Sequence, residues 1–397
     1  MCKNVRKTFQ YSARVISMGE QGPMISASAP AKCVLFGEHA VVYGQPAIAV
    51  ALDLRTTVSI QTSNTMKLEG RKYHPDSHPH IDFLLKKLWN QSNDFDSLSM
   101  QIESDIPSAS GLGSSAALCN ALVACLRSAR GRKIDSSGEW LEGWSSKHQP
   151  SQAYIPELTL DAETETSGQL FGKEAISIDE CGLLAHAAEA IAQGGLASPM
   201  DTTTSAHGGL ILIGGSQHEH LLYKRELKVE KTIREWAMSQ IEIELSDDVY
   251  LVIGATGIRS STKKQVEHVA QLLASSDKHK AYIEDIGKIS LDGYAAMKNG
   301  DFEEVGRLMN QNQILLEKLE VSSTPLRRLI RAALPFSLGT KLSGAGGGGC
   351  MIALTRQPES TARAIQEAGG TSYITSISKD GVRLEHYENM PISKKRM

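Results

Sequence analysis

Hydrophobic and polar positions follow a different rhythm in each part of this chain, and each rhythm predicts an element. Ile25, Ser26, Ala27 and Ser28 alternate as a strand does, running into a turn over Ala29-Pro30-Ala31-Lys32-Cys33-Val34-Leu35-Phe36-Gly37. Residues 47–52 are a continuous apolar run with the length of a buried strand. Residues 57–61 and 98–103 alternate as half-exposed strands, the second leading to Pro107. From Gly113 the period changes. Leu118, Ala121, Leu122, Cys125 and Leu126 stand at i, i+3, i+4, i+7 and i+8, one apolar face of a helix. Residues 130–178, rich in Ser, Gly and acids, show no period and predict a long excursion or lid. A helix over 183–193 follows, then a glycine break and a hairpin made of 209–214 and 221–226.

The second half predicts a strand at 249–253 and a helix with Val266, Val269, Ala270 and Leu273 on one face. A long helix from Asp301, a strand at 350–355 and a helix at 360–368 stopped by Gly369-Gly370 come next. A closing hairpin turns at Asp380-Gly381. The composition shift across 230–247 divides the chain into domains 24–235 and 236–390. Strands and helices mix without regular βα alternation, so the fold class is α+β.

Composition narrows the function classes. A chain of 397 residues implies two or three domains, and 41% hydrophobic with 22% charged residues is ordinary for a globular protein. The net charge of -3 argues against bulk attraction to nucleic acid or acidic membranes, which takes a surplus of Lys and Arg. The basic clusters Lys3, Arg6, Lys7 and Lys394, Lys395, Arg396 are expected to be solvated tails. Six scattered cysteines without a C-x-x-C pair suit a reducing cytosol. His74, His78 and His80 are interrupted by Pro75 and Pro79, which marks a surface loop rather than a metal cluster. No stretch approaches the ~18 apolar residues of a membrane span, and the first 22 residues lack the apolar core of a secretory signal. A cytoplasmic protein is expected.

Four stretches carry chemistry. Pro107-Ser108-Ala109-Ser110-Gly111-Leu112-Gly113-Ser114-Ser115-Ala116-Ala117 opens directly into the predicted helix. A helix start offers unpaired N–H groups and the positive end of its dipole, which suits a polyphosphate, and its hydroxyls add donors. An ordinary glycine turn capped by Ser114 is the plainer alternative. It lacks the G-K-[ST] ending of a Walker loop. Gly111-x-Gly113-x-x-Ala116 satisfies a dinucleotide fingerprint, but an alternating strand and an intervening Pro-Ser-Ala-Ser stretch are the wrong context. Lys341-Leu342-Ser343-Gly344-Ala345-Gly346-Gly347-Gly348-Gly349-Cys350 is followed by a strand, so it fails that test too. Five glycines in six positions imply close approach to a ligand or another loop. Lys32 through Gly44 brings a cation, an acid (Glu38) and an imidazole (His39) together. Glu189 on a small-residue helix precedes Asp201 in a polar turn.

These stretches, in this order, resemble the GHMP kinases, most nearly the mevalonate kinase branch over Ala31-Lys32-Cys33-Val34-Leu35-Phe36-Gly37-Glu38-His39-Ala40-Val41-Val42-Tyr43-Gly44. Ala197-Ser198-Pro199-Met200-Asp201-Thr202 is similar to the archaeal form. The resemblance implies a two-domain fold, with a ribosomal-protein-S5-like N-terminal domain, a ferredoxin-like C-terminal domain and the site in the cleft between them. It implies ATP-dependent phosphorylation of mevalonate to 5-phosphomevalonate, in isoprenoid precursor synthesis. Another GHMP alcohol kinase such as phosphomevalonate kinase, a non-catalytic sensor on the same fold, and a Rossmann-type oxidoreductase are the alternatives. Residue by residue, 107–115 would wrap the ATP phosphates, and Ser115 and Glu189 would hold Mg²⁺. Asp201 would act on the substrate hydroxyl with Lys32 beside it. Glu38, His39 and Thr262 would face the substrate, and Gly344, Ala345 and Gly346 would shape the site. Glu189 and Asp201 are twelve positions apart, one more than the usual spacing, with the extra residue at Gly194-Gly195-Leu196. The partners implied are small molecules, not nucleic acid or membrane, and the oligomeric state stays open, a homodimer included.

Overall fold

The computed structural model describes residues 24–89, 97–107, 110–129, 133–134, 140–141, 166–170, 176–192, 197–215, 220–229, 232–243 and 248–387. The first strand, β1 (Met24–Phe36), does not turn at Pro30 but continues for 13 residues, buried after the first. Its register against β2 (Ala47–Ser63) shifts between Pro30 and Ala31, so the proline's missing N–H falls at a ladder irregularity. The two runs expected as separate strands at 47–52 and 57–61 are one strand, β2, fully buried in its first six residues and alternating later. Then follow β3 (Lys67–Leu68), β4 (Arg71–Lys72), helix α1 (Pro79–Leu88), β5 (Ser97–Ser104) and α2 (Ser114–Ala129). A small ladder joins β6 (Lys133–Ile134) to β7 (Trp140–Leu141).

Next are β8 (Thr166–Leu170), α3 (Ile176–Ala192), α4 (Met200–His207), β9 (Leu210–Ile213), β10 (Leu221–Val229) and β11 (Thr232–Ile241). The large sheet runs β4-β3-β5-β2-β9-β11-β10-β8, with β1 also on β2. Two expectations are corrected here. Residues 209–214 and 221–226 form no hairpin, because β11 lies between β9 and β10. The excursion at 130–178 contributes β8 to this sheet, although most of it lies outside the described residues. The boundary read at 235/236 falls inside β11, which stays in the large sheet through Ile241.

The C-terminal part comprises β12 (Tyr250–Ala255), α5 (Thr262–Ser275), α6 (Asp277–Lys298), α7 (Phe302–Lys318), α8 (Thr324–Ala333), β13 (Gly339–Ser343), β14 (Cys350–Thr355), α9 (Pro358–Glu367) and β15 (Thr371–Thr375). Its four strands form an antiparallel sheet, β13-β14-β12-β15. The chain then returns to the first sheet, where β16 (Arg383–Tyr387) pairs with β1. The closing hairpin expected at Asp380-Gly381 is therefore a crossover between sheets.

One apolar cluster joins both sheets, with Phe36, Ile48 and Val50 packed in the same core as Ile253, Leu308 and Ile352. That shared core sets β1 against the C-terminal sheet at β13. Cys33, Cys119, Cys125, Cys181 and Cys350 are buried free thiols. No helix among the described residues is long and apolar enough to cross a membrane.

Candidate active site

Lys32 lies on β1 with the glycine turn folded over it. Its backbone N–H donates to the Leu112 carbonyl at 2.9 Å, and its Nζ donates to the Gly111 carbonyl at 3.3 Å. Gly113, at φ 73, rests on the lysine stem, and a Cβ there would lie 2.9 Å from Lys32 Cγ. Only glycine combines that φ with that approach. Helix α2 starts at the next residue, so its free N–H groups and positive dipole end lie at this turn. The Ser110 hydroxyl donates to the Pro107 carbonyl at 2.7 Å and closes the loop. Ser108 and Ala109 lie outside the described residues.

Asp201 is on the first turn of α4, with its Oδ1 3.0 Å from Lys32 Nζ. The lysine side chain is 4% exposed and the aspartate 30%, so the pair opens on its acidic side. Burial by itself would lower the Lys32 pKa, but the adjacent Asp201 charge and hydrogen bond more than offset it and hold the group above its ordinary value. Three neighbouring elements pin α4. Asn120 on α2 donates to the Thr202 carbonyl at 3.0 Å, and the Ser205 hydroxyl donates to the Pro30 carbonyl of β1 at 2.7 Å. His207 Nε2 lies 2.8 Å from Asp179 Oδ1 on α3. Sequence reasoning missed Asn120. Its signal was a polar residue within a helix that is buried from Cys119 to Ala129.

The Ser115 hydroxyl donates to Glu189 Oε1 at 2.5 Å, joining the first turn of α2 to the last turns of α3. The extra residue before Asp201 thus leaves Glu189 facing Ser115. Burial, and next the Asp201 charge, push the Glu189 carboxyl up to about 7, while the Ser115 hydroxyl and Lys32 pull the other way. Two hard oxygens, one on a buried carboxylate short of positive charge, fit a small divalent cation.

Glu38 and His39 turn toward the C-terminal sheet. The Glu38 carboxylate, expected to face the substrate, is instead paired with Lys341 on β13 and accepts from Asn312 Nδ2 of α7 at 3.1 Å. His39 holds φ 62, and its Nε2 lies 2.9 Å from the Ala345 carbonyl. Burial lowers the His39 pKa, partly countered by that carbonyl. The glycines of 344–349 face other loops. Gly346, at φ 79, has no room for a Cβ, which would meet the Val321 carbonyl at 2.2 Å. Gly349 lies against Ser110, and Gly344 opposite Gly111, so this loop abuts the glycine turn that opens α2. Thr262 is exposed at the first position of α5, just past the 256–258 segment that bonds Gly349. Of the expected residues, Lys32, Asp201, Ser115 and Glu189 converge, with Glu38, His39 and Ala345 forming the junction behind.

Two family descriptions match: the GHMP kinases N terminal domain over residues 81–142 and the GHMP kinases C terminal region over 294–374. The mevalonate kinase of Thermococcus onnurineus is 32% identical over 382 residues, covering 91% of this chain and 98% of that protein. The chain belongs to the mevalonate kinase family of the GHMP kinases. Solved structures of the fold agree. The Methanococcus jannaschii mevalonate kinase superposes with a TM-score of 0.63 at 23% identity, covering 89% of this chain and 98% of that one. The L. major mevalonate kinase in complex with R-mevalonate gives 0.64 at 21% identity, over 90% and 96%. Because β16 returns to the first sheet and one apolar core is shared by both sheets, the two domains are not separable beads.

Proposed function

We propose that this chain transfers the γ-phosphoryl group of ATP to the primary alcohol of mevalonate, giving 5-phosphomevalonate and ADP. The observation that carries the reading is the Lys32–Asp201 pair, held at 3.0 Å beneath the glycine turn that opens α2. An alcohol ionises far above neutral pH, so its attack needs proton acceptance and charge stabilisation together. Asp201, the more exposed partner, accepts the hydrogen bond of the substrate hydroxyl. The hydroxyl oxygen bonds to the γ-phosphorus, the bond to the bridging oxygen breaks, and ADP leaves with that electron pair. The hydroxyl proton passes to Asp201 as the new ester bond forms. Lys32 stabilises the charge on the transferring group. Because such transition states are loose, alignment of the hydroxyl by Asp201 contributes as much as proton removal.

Residues 107–115 hold the ATP phosphates through the start of α2. Ser115 and Glu189 are the side chains that would hold Mg²⁺, and when bound the ion neutralises phosphate charge. Mevalonate, rather than another alcohol, is supported by the family membership and by the Glu38-His39 segment. His39, Thr262, Gly344, Ala345 and Gly346 are assigned to the alcohol side of the site.

Purified protein with Mg²⁺-ATP and mevalonate, phosphomevalonate, homoserine or galactose, followed by ADP release, tests this. Turnover with mevalonate alone is expected. Turnover with phosphomevalonate alone moves the chain to that activity, and nucleotide binding without turnover on any alcohol points to a sensor.

A further inference from the structure

Lys341 is fully buried at the centre of β13, the strand that leads into the glycine loop, and the reaction as derived does not use it. Its Nζ is paired with Glu38, donates to the Leu342 carbonyl at 2.7 Å, and lies 3.5 Å from the Val34 carbonyl of β1. Both Glu38 oxygens are engaged, one by Lys341 and the other by Asn312. With its side chain 1% exposed, Glu38 turns these oxygens inward, toward β13 and α7. Ser343 adds a second link, accepting from Val34 N–H at 2.9 Å and donating to the Val34 carbonyl at 3.2 Å. His39 adds a third through Ala345. Val34 is two residues from Lys32 on the same strand. The links therefore tie the strand that carries the reaction's ammonium to the loop that abuts Ser110 and Gly111.

We propose that Lys341 and Glu38 are a positioning pair that sets the glycine loop in register with Lys32 and the phosphate loop. A buried ion pair adds little net stability over an apolar pair of similar volume, because desolvation consumes most of the Coulomb gain. What it supplies is direction: an ammonium with fixed acceptors on β1, on β13 and on the Glu38 carboxylate allows one relative placement of the two sheets. Glu38 acts through Lys341, not on the substrate. This inference rests on the phosphoryl-transfer reading for its kinetic test only.

The test is a double-mutant cycle with Glu38→Gln, Lys341→Met and the double variant, reading kcat and both KM values. Each single change is expected to lower kcat by about tenfold with the mevalonate KM shifted less, and the double variant to lose no more than the worse single one. Losses that multiply would give Glu38 a partner other than Lys341, and an unchanged kcat would remove any positioning role. Either result overturns the proposal. If Lys341→Met does not fold, Ser343→Ala is expected to lower kcat several-fold, and wild-type kcat there counts against the links. Hydrogen exchange at the amides of 344–349 reads the same question without turnover. Faster exchange in Glu38→Gln, confined to that loop and residues 38–39, supports the pair even if the alcohol has been misassigned. Unchanged exchange sinks it.

Discussion

Two lysine–carboxylate pairs are built on β1 and the residues just past its end, and burial distinguishes them. Lys32–Asp201 is open on one side, with the aspartate 30% exposed. Lys341–Glu38 is sealed, at 0% and 1%. In the open pair the neighbouring charge prevails over desolvation, and the Lys32 pKa stands above its ordinary value. In the sealed pair desolvation prevails on both partners, lowering Lys341 and raising Glu38. On the reading proposed above, the same two functional groups serve chemistry where solvent reaches the carboxylate, and geometry where nothing does.

The largest effect should come from the open pair. Asp201→Asn is expected to lower kcat by roughly a thousandfold while ATP affinity, measured by titration, stays near wild type. A loss of only a few-fold would erase the distinction between the pairs. The sealed pair should answer in stability as well as in turnover. Lys341→Met leaves a buried carboxylate uncompensated and is expected to cost about 3 kcal/mol in denaturant unfolding. Lys32→Met, whose partner can be hydrated, should cost clearly less in the same measurement. Equal costs would mean that exposure does not divide them.

Glu189 sharpens the comparison from a third direction. Its folded pKa of about 7 lies above the 4.5 of the free side chain, so between those values the folded state holds a proton that the unfolded chain has released. That contribution is fully present below 4.5 and is lost as pH rises through about 7. Unfolding of the metal-free protein should therefore become easier from pH 4.5 to 7, and Glu189→Gln should remove part of that slope. Because burial raises Glu38 and Asp179 in the same direction, the quantity to read is the difference between wild type and variant. Identical slopes would count against Glu189. The smallest effect is expected at Asn120, where replacement by Leu removes the bond to Thr202 and costs kcat about tenfold or less. A change in the ATP KM alone would place its influence on the phosphate loop rather than on Asp201.

Local pattern carried much of the architecture. The period of α2, the continuous and alternating halves of β2, and the strand at 350–355 are read directly from neighbouring residues. The chemistry-bearing motifs were legible for the same reason, since Lys32, the phosphate loop and Asp201 stand in short segments with distinctive small residues. What failed was long-range. Nothing local told that β11 would insert between β9 and β10, or that the last strand would cross back to β1. Pro30 looked like a stop because a strand interior needs its N–H, yet the ladder shifts at that residue.

The sequence by itself determined the period of α2, the glycine turn that opens it and which charged and hydroxyl groups the motifs offer, because spacing and side-chain chemistry are local properties. Only the tertiary structure decided which lysine meets which carboxylate. Lys341 and Glu38 are 303 positions apart, and Lys32 and Asp201 are brought together by α4 resting on α2, α3 and β1. Ion pairing depends on distance and burial in three dimensions, and neither is written in the order of residues. That is why the acid at residue 38 is found paired with Lys341 on the second sheet, and why the aspartate beside Lys32 is the more exposed of the two carboxylates.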